Sequence, residues 1–293
     1  MAKEKAGNSI AAYVLLAPSI ILSTIFVIIP LLYSIRVSFY EWSFYQKSIF
    51  VGFRNFYLVL TDPAFFKSIL VGLKFAAFVV PVQFIFGFLF AHVLKRIGGA
   101  LGSFVKTSIY VPTVISGIIA SAIFVFIYDY QSGFANAIIG LFGIEGKAWL
   151  ADQNLALFSL SVPAVWLGFG YIALIMLSGL NDIPAVYYEA SDVEGANFIQ
   201  KMYFITIPNM KNLFLYFFVV GFLGALQQFD LAFMMTKGGP MNETMTPNLL
   251  IYNHFVKDPY MGYTVAASLL MFIVLGFISA LIFRVINSEK TAD

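Results

Sequence analysis

Cysteine is absent from the 293 residues. That excludes disulfides, zinc–thiolate sites, iron–sulfur clusters and thiol nucleophiles. Charge is scarce as well. Asp, Glu, Lys and Arg make up 11% of the chain, where soluble domains carry about 25%. A net charge of +2 leaves no basic field for nucleic acid. The two histidines, His92 and His254, lie too far apart in sequence and context to suggest a metal pair. His92 reads as snorkelling near the inner end of a span, and His254 as a surface residue of an outer loop. No G-x-x-x-x-G-K-S/T loop occurs. Gly146-Lys147 is followed by Ala148 and lacks the earlier glycine, so no nucleotide cradle is present. No catalytic constellation is visible either.

What the chain has instead is apolar surface. Hydrophobic residues make up 60%, phenylalanine occurs 33 times, and mean hydropathy is +0.88. An interior this apolar needs lipid as its solvent. The charges retreat to a few places, leaving six long stretches: 10–35, 69–94, 107–128, 155–180, 213–235 and 263–286. At about 1.5 Å per residue each reaches past a hydrocarbon core roughly 30 Å thick. Helices are expected, because each segment must satisfy its own backbone polar groups. The strand alternation of a β-barrel is not visible. The first stretch follows Lys3 and Lys5 but is too long for a signal peptide, and no small-x-small cleavage site follows it. The reading is a single all-α membrane domain over 1–293.

Six spans put both termini on one side. With that side cytoplasmic, the inside carries Lys3, Lys5, Lys95, Arg96, Lys106, Lys201, Lys211, Arg284 and Lys290. The whole-chain count is indecisive, but short loops are informative. The link from Lys95 to Lys106 holds three basic residues and no acid, whereas 130–154 holds only Lys147 as a base. The termini are therefore expected inside. Pro18, Pro30, Pro81, Pro112 and Pro163 fall within spans, as packing features or as kinks that serve a gate.

The loop between spans four and five, 181–212, is unusual. Asn181 or Asp182 can cap a short helix, with Pro184 in its first turn. Ile183, Val186, Tyr187, Ala190 and Val193 recur at helical spacing on one face. Gly195 can supply a left-handed stop, Asn197 can cap a second short helix, and Pro208 is expected to end it. The apolar face needs a cover, either the protein's own helix ends or the groove of a partner.

Glu189-Ala190-Ser191, then Gly195 after three residues, then Ile205-Thr206-Ile207-Pro208 after nine more, resembles the EAA motif of ABC-importer permeases. Ser191 replaces the motif's second alanine, Ile207 its leucine, and Glu194 stands where Asp is common. Phe229-Asp230, Thr236, Gly238-Gly239-Pro240 and Thr244 resemble the F-D…T-x-G-G-P…T stretch of the MalF-like carbohydrate group. Tyr263-Thr-Val-Ala-Ala-Ser, opening the last span, is similar too.

The resemblance implies a type I (MetI-like) ABC importer permease with six transmembrane helices and a cytoplasmic coupling helix. It implies a second, MalG-like permease, two ATP-binding subunits that hold ATP and Mg2+, and an extracytoplasmic solute-binding protein that delivers carbohydrate. The setting would be a bacterial or archaeal plasma membrane. No cofactor or metal is expected on this chain, and nucleic acid is not a partner. Glu189, Ala190, Ser191, Asp192, Glu194, Gly195 and Pro208 map onto the coupling loop. In that mapping Glu189 makes charged contacts in the ATPase cleft, and Ala190 packs where a larger side chain would not fit. Gly238, Gly239 and Pro240 are expected to meet the binding protein.

Polar groups inside the spans are candidates for a substrate pathway. These are Gln83, Trp166 with Gly168, and the group Gln227, Gln228 and Asp230. Sugars suit aromatic faces plus amides. The competing readings are interhelical hydrogen bonding for the glutamines, a basic partner for Asp230 and plain packing for Trp166. Three alternatives remain: an ABC permease for another solute such as glycerol phosphate, a secondary transporter, or a membrane enzyme. The absence of Lys and Arg from the middle of the spans argues against a phosphorylated solute.

Overall fold

The computed structural model describes residues 2–43 and 47–287, and side chains within 13–43 and 47–285. Lys290, assigned inside above, lies outside the described residues, as do the side chains of Lys3 and Lys5. Among the described residues the regular secondary structure is helical apart from one two-stranded ribbon. Among the described residues, five helices are long and apolar enough to cross a bilayer: Tyr13–Val37, Pro63–Arg96, Ala156–Asp182, Phe198–Leu226 and Gly262–Val285. Two further helices, Gly99–Val114 and Gly117–Ile127, are together long and apolar enough for one more span, but they are bent by 95° at the break between them.

The third stretch, read over 107–128 with Pro112 inside it, is broken into these two pieces. Pro112 lies in the last turn of the first piece, and Ile115 is extended at ψ 132°. Ser116 restarts the helix as its N-cap, accepting a hydrogen bond from the Ile118 amide at 3.3 Å. The fifth span is displaced too. It begins at Phe198 rather than Leu213 and ends at Leu226 rather than Met235.

Pro208 does not end a helix. It follows a wide turn over Met202–Thr206 and lies in the first turn of Ile207–Leu226. Pro30 stands in the same relation to a wide turn over Thr24–Ile28. A proline ring would strike the carbonyl four residues back, and its missing N–H leaves that carbonyl unpaired. Widening the preceding turn moves the carbonyl aside and lets the helix continue.

The packing divides into two units. The larger comprises Pro63–Leu250 and Ile273–Asp293. Its centre is the pair of helices Pro63–Arg96 and Ala156–Asp182, which bury Val71, Phe75, Ala76 and Val80 with Leu160, Ala173, Met176 and Leu180. Lipid supplies no hydrophobic drive between helices, so close approach at small residues matters. A Cβ on Gly170 would lie 1.8 Å from the Ile109 carbonyl oxygen, and one on Gly87 would lie 2.6 Å from Ile172. Thr113 Oγ1 donates to the Leu167 carbonyl at 3.0 Å beside the first of these contacts. Phe84, Phe88, Phe214, Phe217 and Phe218 form a ring cluster that joins the second and fifth spans, and Phe84 stands 5.0 Å from Phe214.

The smaller unit comprises Met1–Asp62 and Ile251–Phe272. Tyr40–Glu41 pairs antiparallel with Ile49–Phe50, Tyr40 opposite Phe50. Buried Asn55 donates to the Ser38 and Tyr40 carbonyls at 2.8 and 3.0 Å. Tyr263 donates to Asp62 at 2.5 Å. His254, read as a surface residue, is half-buried here, with Nδ1 2.7 Å from Asp258 and its ring 4.1 Å from that of Tyr263.

Candidate functional site

The link after the fourth span carries a helix, Ala185–Val193, that starts behind Pro184. Asn181 and Asp182, read as caps, are instead the last residues of the fourth-span helix. The stop works as the glycine suggests. Gly195 takes φ +74°, and the Gly195 and Ala196 amides donate back to Asp192 and Ser191 at 3.1 and 2.9 Å. Nothing lies within 4 Å of a Cβ built on Gly195, so its role is backbone conformation and not space. Asn197 then opens the fifth-span helix with a capping box, its side chain and that of Gln200 exchanging bonds of 3.0 and 2.8 Å.

The Ala185–Val193 helix is anchored along one edge only. Ile183 is buried. Ser191 is 9% exposed and donates to the Tyr188 carbonyl at 2.7 Å. The Tyr188 hydroxyl lies 2.9 Å from Thr206 Oγ1, and Asp192 is ion-paired with Lys201. The other edge is bare. Val186 is 61% exposed, Tyr187 51% and Val193 90%, with Ala190, Glu189 and Glu194 beside them. Of the apolar face read from spacing, only Ile183 is covered by the chain itself.

A second feature is a groove of about 250 Å³ between the second, fourth and fifth spans. Gln83, Gly168 and Gln228 line it, together with Tyr171 and Tyr216, and no charged side chain does. Gln83 Nε2 donates to the Ala164 carbonyl at 2.8 Å, crossing Gly168 so closely that a Cβ there would lie 2.2 Å from it. Tyr171 and Tyr216 reach the groove from the fourth and fifth spans. Sequence reasoning missed both tyrosines. Their signal was position, since tyrosine belongs at the membrane–water boundary and these two stand near the middle of their spans.

The remaining pathway candidates fall elsewhere. Trp166 lines a different, apolar groove with Phe78, Phe86 and Phe169, because it lies on another side of the fourth span from Gly168. Gln227 is the C-cap of the fifth span, exposed, with Nε2 donating to Leu223 at 3.2 Å. The fifth helix ends there, so Gln227 and Gln228 are not helical neighbours in mid-membrane. Asp230 has no basic partner among the described residues. Its carboxylate instead faces the restart of the broken span, where a Cβ on Gly117 would lie 2.8 Å from Oδ2. A helix N-terminus favours a negative charge.

Beyond Asp230 the Thr236–Thr244 loop is bonded to itself. The Thr236 and Thr244 hydroxyls lie 2.7 Å apart, and Thr244 also donates to the Gly239 carbonyl at 2.6 Å. The Gly239–Pro240 peptide is cis. Gly238 is buried against Met245 and Gly239 and Pro240 are half-buried, while Met241 and Asn242 form the exposed tip. Lys67 braces that tip, bonding the Met241 carbonyl at 2.8 Å and pairing with Glu243 at 2.9 Å.

Residues 83–291 match the family described as the binding-protein-dependent transport system inner membrane component. The chain is 28% identical to the sulfoquinovosyl glycerol transport system permease protein SmoG of Agrobacterium fabrum, over 97% of this chain and 92% of that one. It is 28% identical to the trehalose/maltose transport system permease protein MalF of Thermococcus litoralis, over 93% and 92%. The fold is similar to that of a bacterial ABC transporter involved in the import of alginate, with a TM-score of 0.81 at 19% identity over 98% of this chain and 99% of that one.

Proposed function

We propose a function from one premise: the chain belongs to the family of binding-protein-dependent transport system inner membrane components. On that premise it is the transmembrane permease subunit of an ATP-driven importer of sugars or oligosaccharides. The relatives named above carry sulfoquinovosyl glycerol and trehalose/maltose. The observation that carries the reading is the bare apolar edge of the Ala185–Val193 helix. A helix outside the membrane that exposes Val186, Tyr187 and Val193 beside Glu189 and Glu194 suits a groove-shaped partner.

In this reading the edge enters the cleft of an ATP-binding subunit, and the helix carries the subunit's motion into spans four and five. Any limit on the size of Ala190 then comes from that partner, because this chain leaves Ala190 open. ATP and Mg2+ stay on two such subunits, and a second permease completes the pathway. Binding shifts the transporter between states only by its differential contacts in each. The groove is the sugar's path. Gln83, Gln228, Tyr171 and Tyr216 offer amides, hydroxyls and ring faces to a neutral polar solute. An uncharged lining supports sugar over glycerol phosphate. A secondary transporter would use a broken helix as an ion site, but here Asp230 already fills the restart of the broken span. The binding protein would meet Met241 and Asn242, the exposed tip, rather than Gly238.

The test is co-purification in mild detergent with the products of the neighbouring genes. Wild type should retain an ATP-binding subunit and a second permease. Val186→Glu with Val193→Glu should lose the ATP-binding subunit by about tenfold or more, as removal of interface anchors does, and keep the second permease. Absence of any ATP-binding subunit from well-folded wild type would sink the reading.

A further inference from the structure

At the end of the spans that carries the Ala185–Val193 helix lies a cavity of about 350 Å³. That is within the size range of small-ligand pockets, about 300–1,000 Å³. It is lined by Lys95, Arg96, Lys201 and His92, with the Tyr188 and Thr206 hydroxyls among them, and no carboxylate lines it. Neither the motif nor the groove makes use of it.

Four nitrogen-bearing side chains converge there from two elements. Lys95 and Arg96 end the second span. Lys201 closes the first turn of the fifth. Lys95 Nζ donates to the Leu180 carbonyl at 2.7 Å and stands 5.3 Å above the Tyr188 ring, which fixes its position and leaves it further donors. Arg96 is exposed and has no hydrogen bond or ion pair among the described residues. Lys201 is held by Asp192, whose side chain is 66% exposed. His92 Nδ1 lies 2.9 Å from the Phe88 carbonyl.

A cationic cavity between span ends, at the depth where acyl chains give way to water, has the chemistry of a headgroup site. Arg96 supplies the planar fork that matches phosphate oxygens, and Lys95 and Lys201 supply point charges. We infer that this cavity binds a phosphate anion, carried by an anionic phospholipid of the inner leaflet or by a soluble phosphate. Because Tyr188 and Lys201 are also the contacts that anchor the Ala185–Val193 helix, the bound phosphate braces that helix against the ends of spans two and five. This last consequence rests on the coupling role proposed above; the binding site does not.

The experiment uses the co-purified complex in phosphatidylcholine nanodiscs, with and without phosphatidylglycerol, and native mass spectrometry to count retained lipid. Wild type should retain phosphatidylglycerol. Lys95→Gln with Arg96→Gln should weaken retention about tenfold or more, because hydrogen bonds to a charged group are lost and not only general surface attraction. Lys106→Gln, a basic residue of the same side outside the cavity, should not. A separate arm adds inorganic phosphate to lipid-neutral discs at constant ionic strength. A rise in melting temperature that the double variant abolishes would identify the soluble source. An equal loss of lipid in Lys106→Gln, or no phosphate-dependent signal in either arm, would overturn the site. Should the double variant fail to assemble, Arg96→Gln alone, on an exposed side chain without a partner, carries the same comparison. Failure of the coupling reading would show as well-folded wild type that retains phosphatidylglycerol but brings down no ATP-binding subunit.

Discussion

Gly170 and Gly224 both sit within spans, yet only one of them is a contact. A Cβ on Gly170 would lie 1.8 Å from the Ile109 carbonyl oxygen, whereas nothing lies within 4 Å of one on Gly224. Backbone cannot retreat as a side chain can, so Gly170→Ala must push two spans apart. It is expected to cost about 1–3 kcal/mol, the range for overpacking, and to lower the melting temperature of the detergent-purified complex. Gly224→Ala should leave it unchanged or raise it slightly, because alanine favours the helix. The groove tyrosines should separate in the opposite way. Tyr216→Phe removes one hydroxyl from a half-open groove, so melting should barely move while sugar uptake falls. Equal effects on both would make the pair structural. A third case lies outside the spans. Asp129 is held below the usual carboxylate range by bonds from Ser132, first the amide at 2.8 Å and then the hydroxyl. A depressed carboxylate supports the turn above its ordinary range and loses that support as pH falls through the lowered value. Exchange protection of the Ser132 amide should therefore decline in acid, and Asp129→Asn should flatten the dependence.

Among the elements, the wide turns show most clearly what a sequence reading can and cannot extract. Pro208 was legible as a break because proline ends helices in water. The structure resolves the same conflict by widening Met202–Thr206, so the fifth span runs unbroken from the capping box at Asn197 to Leu226. Lys201 and Lys211 also made its beginning look like loop, although a basic residue near a span end can reach the interface. Spacing found the Gly195 stop, the Asn197 cap and the apolar face of Ala185–Val193, all set by neighbours in sequence. It could not find the bend at Ile115–Ser116, nor Trp166 turning away from Gln83, because those depend on which helix comes alongside. The wide turn makes its own prediction. Pro208→Ala removes its cause, and a regular helix would rotate the chain before it relative to the span after it. Melting should not fall, since a helix hydrogen bond is regained, but sugar-stimulated ATP hydrolysis should drop several-fold as the coupling helix loses its alignment. Unchanged stimulation would mean that the widened turn has no role in alignment.

For the whole molecule, the decisive question is which side of the membrane holds the Ala185–Val193 helix, because the importer reading requires the side where ATP is. The link between spans two and three is short and basic, with Lys95, Arg96 and Lys106 and no acid, while 128–155 carries Asp129, Glu145 and Asp152 against Lys147 alone. Positive charge in short loops stays inside. Six crossings then put both termini inside with the coupling helix, provided that the bent pair Gly99–Val114 and Gly117–Ile127 counts as one full crossing. That proviso can be tested directly. If the bent pair crosses, alkaline phosphatase fused at Glu145 should be active outside and green fluorescent protein fused at the carboxyl end should fluoresce inside. If the pair instead dips in and returns, Glu145 would lie on the same side as Lys95 and its fusion would be silent. Five crossings would then place the Ala185–Val193 helix on the side opposite Lys95, away from any ATP-binding partner. The basic cavity formed by Lys95, Arg96 and Lys201 already speaks for the first outcome. Its residues come from spans two and five and meet at one end, which an odd count between those spans would forbid.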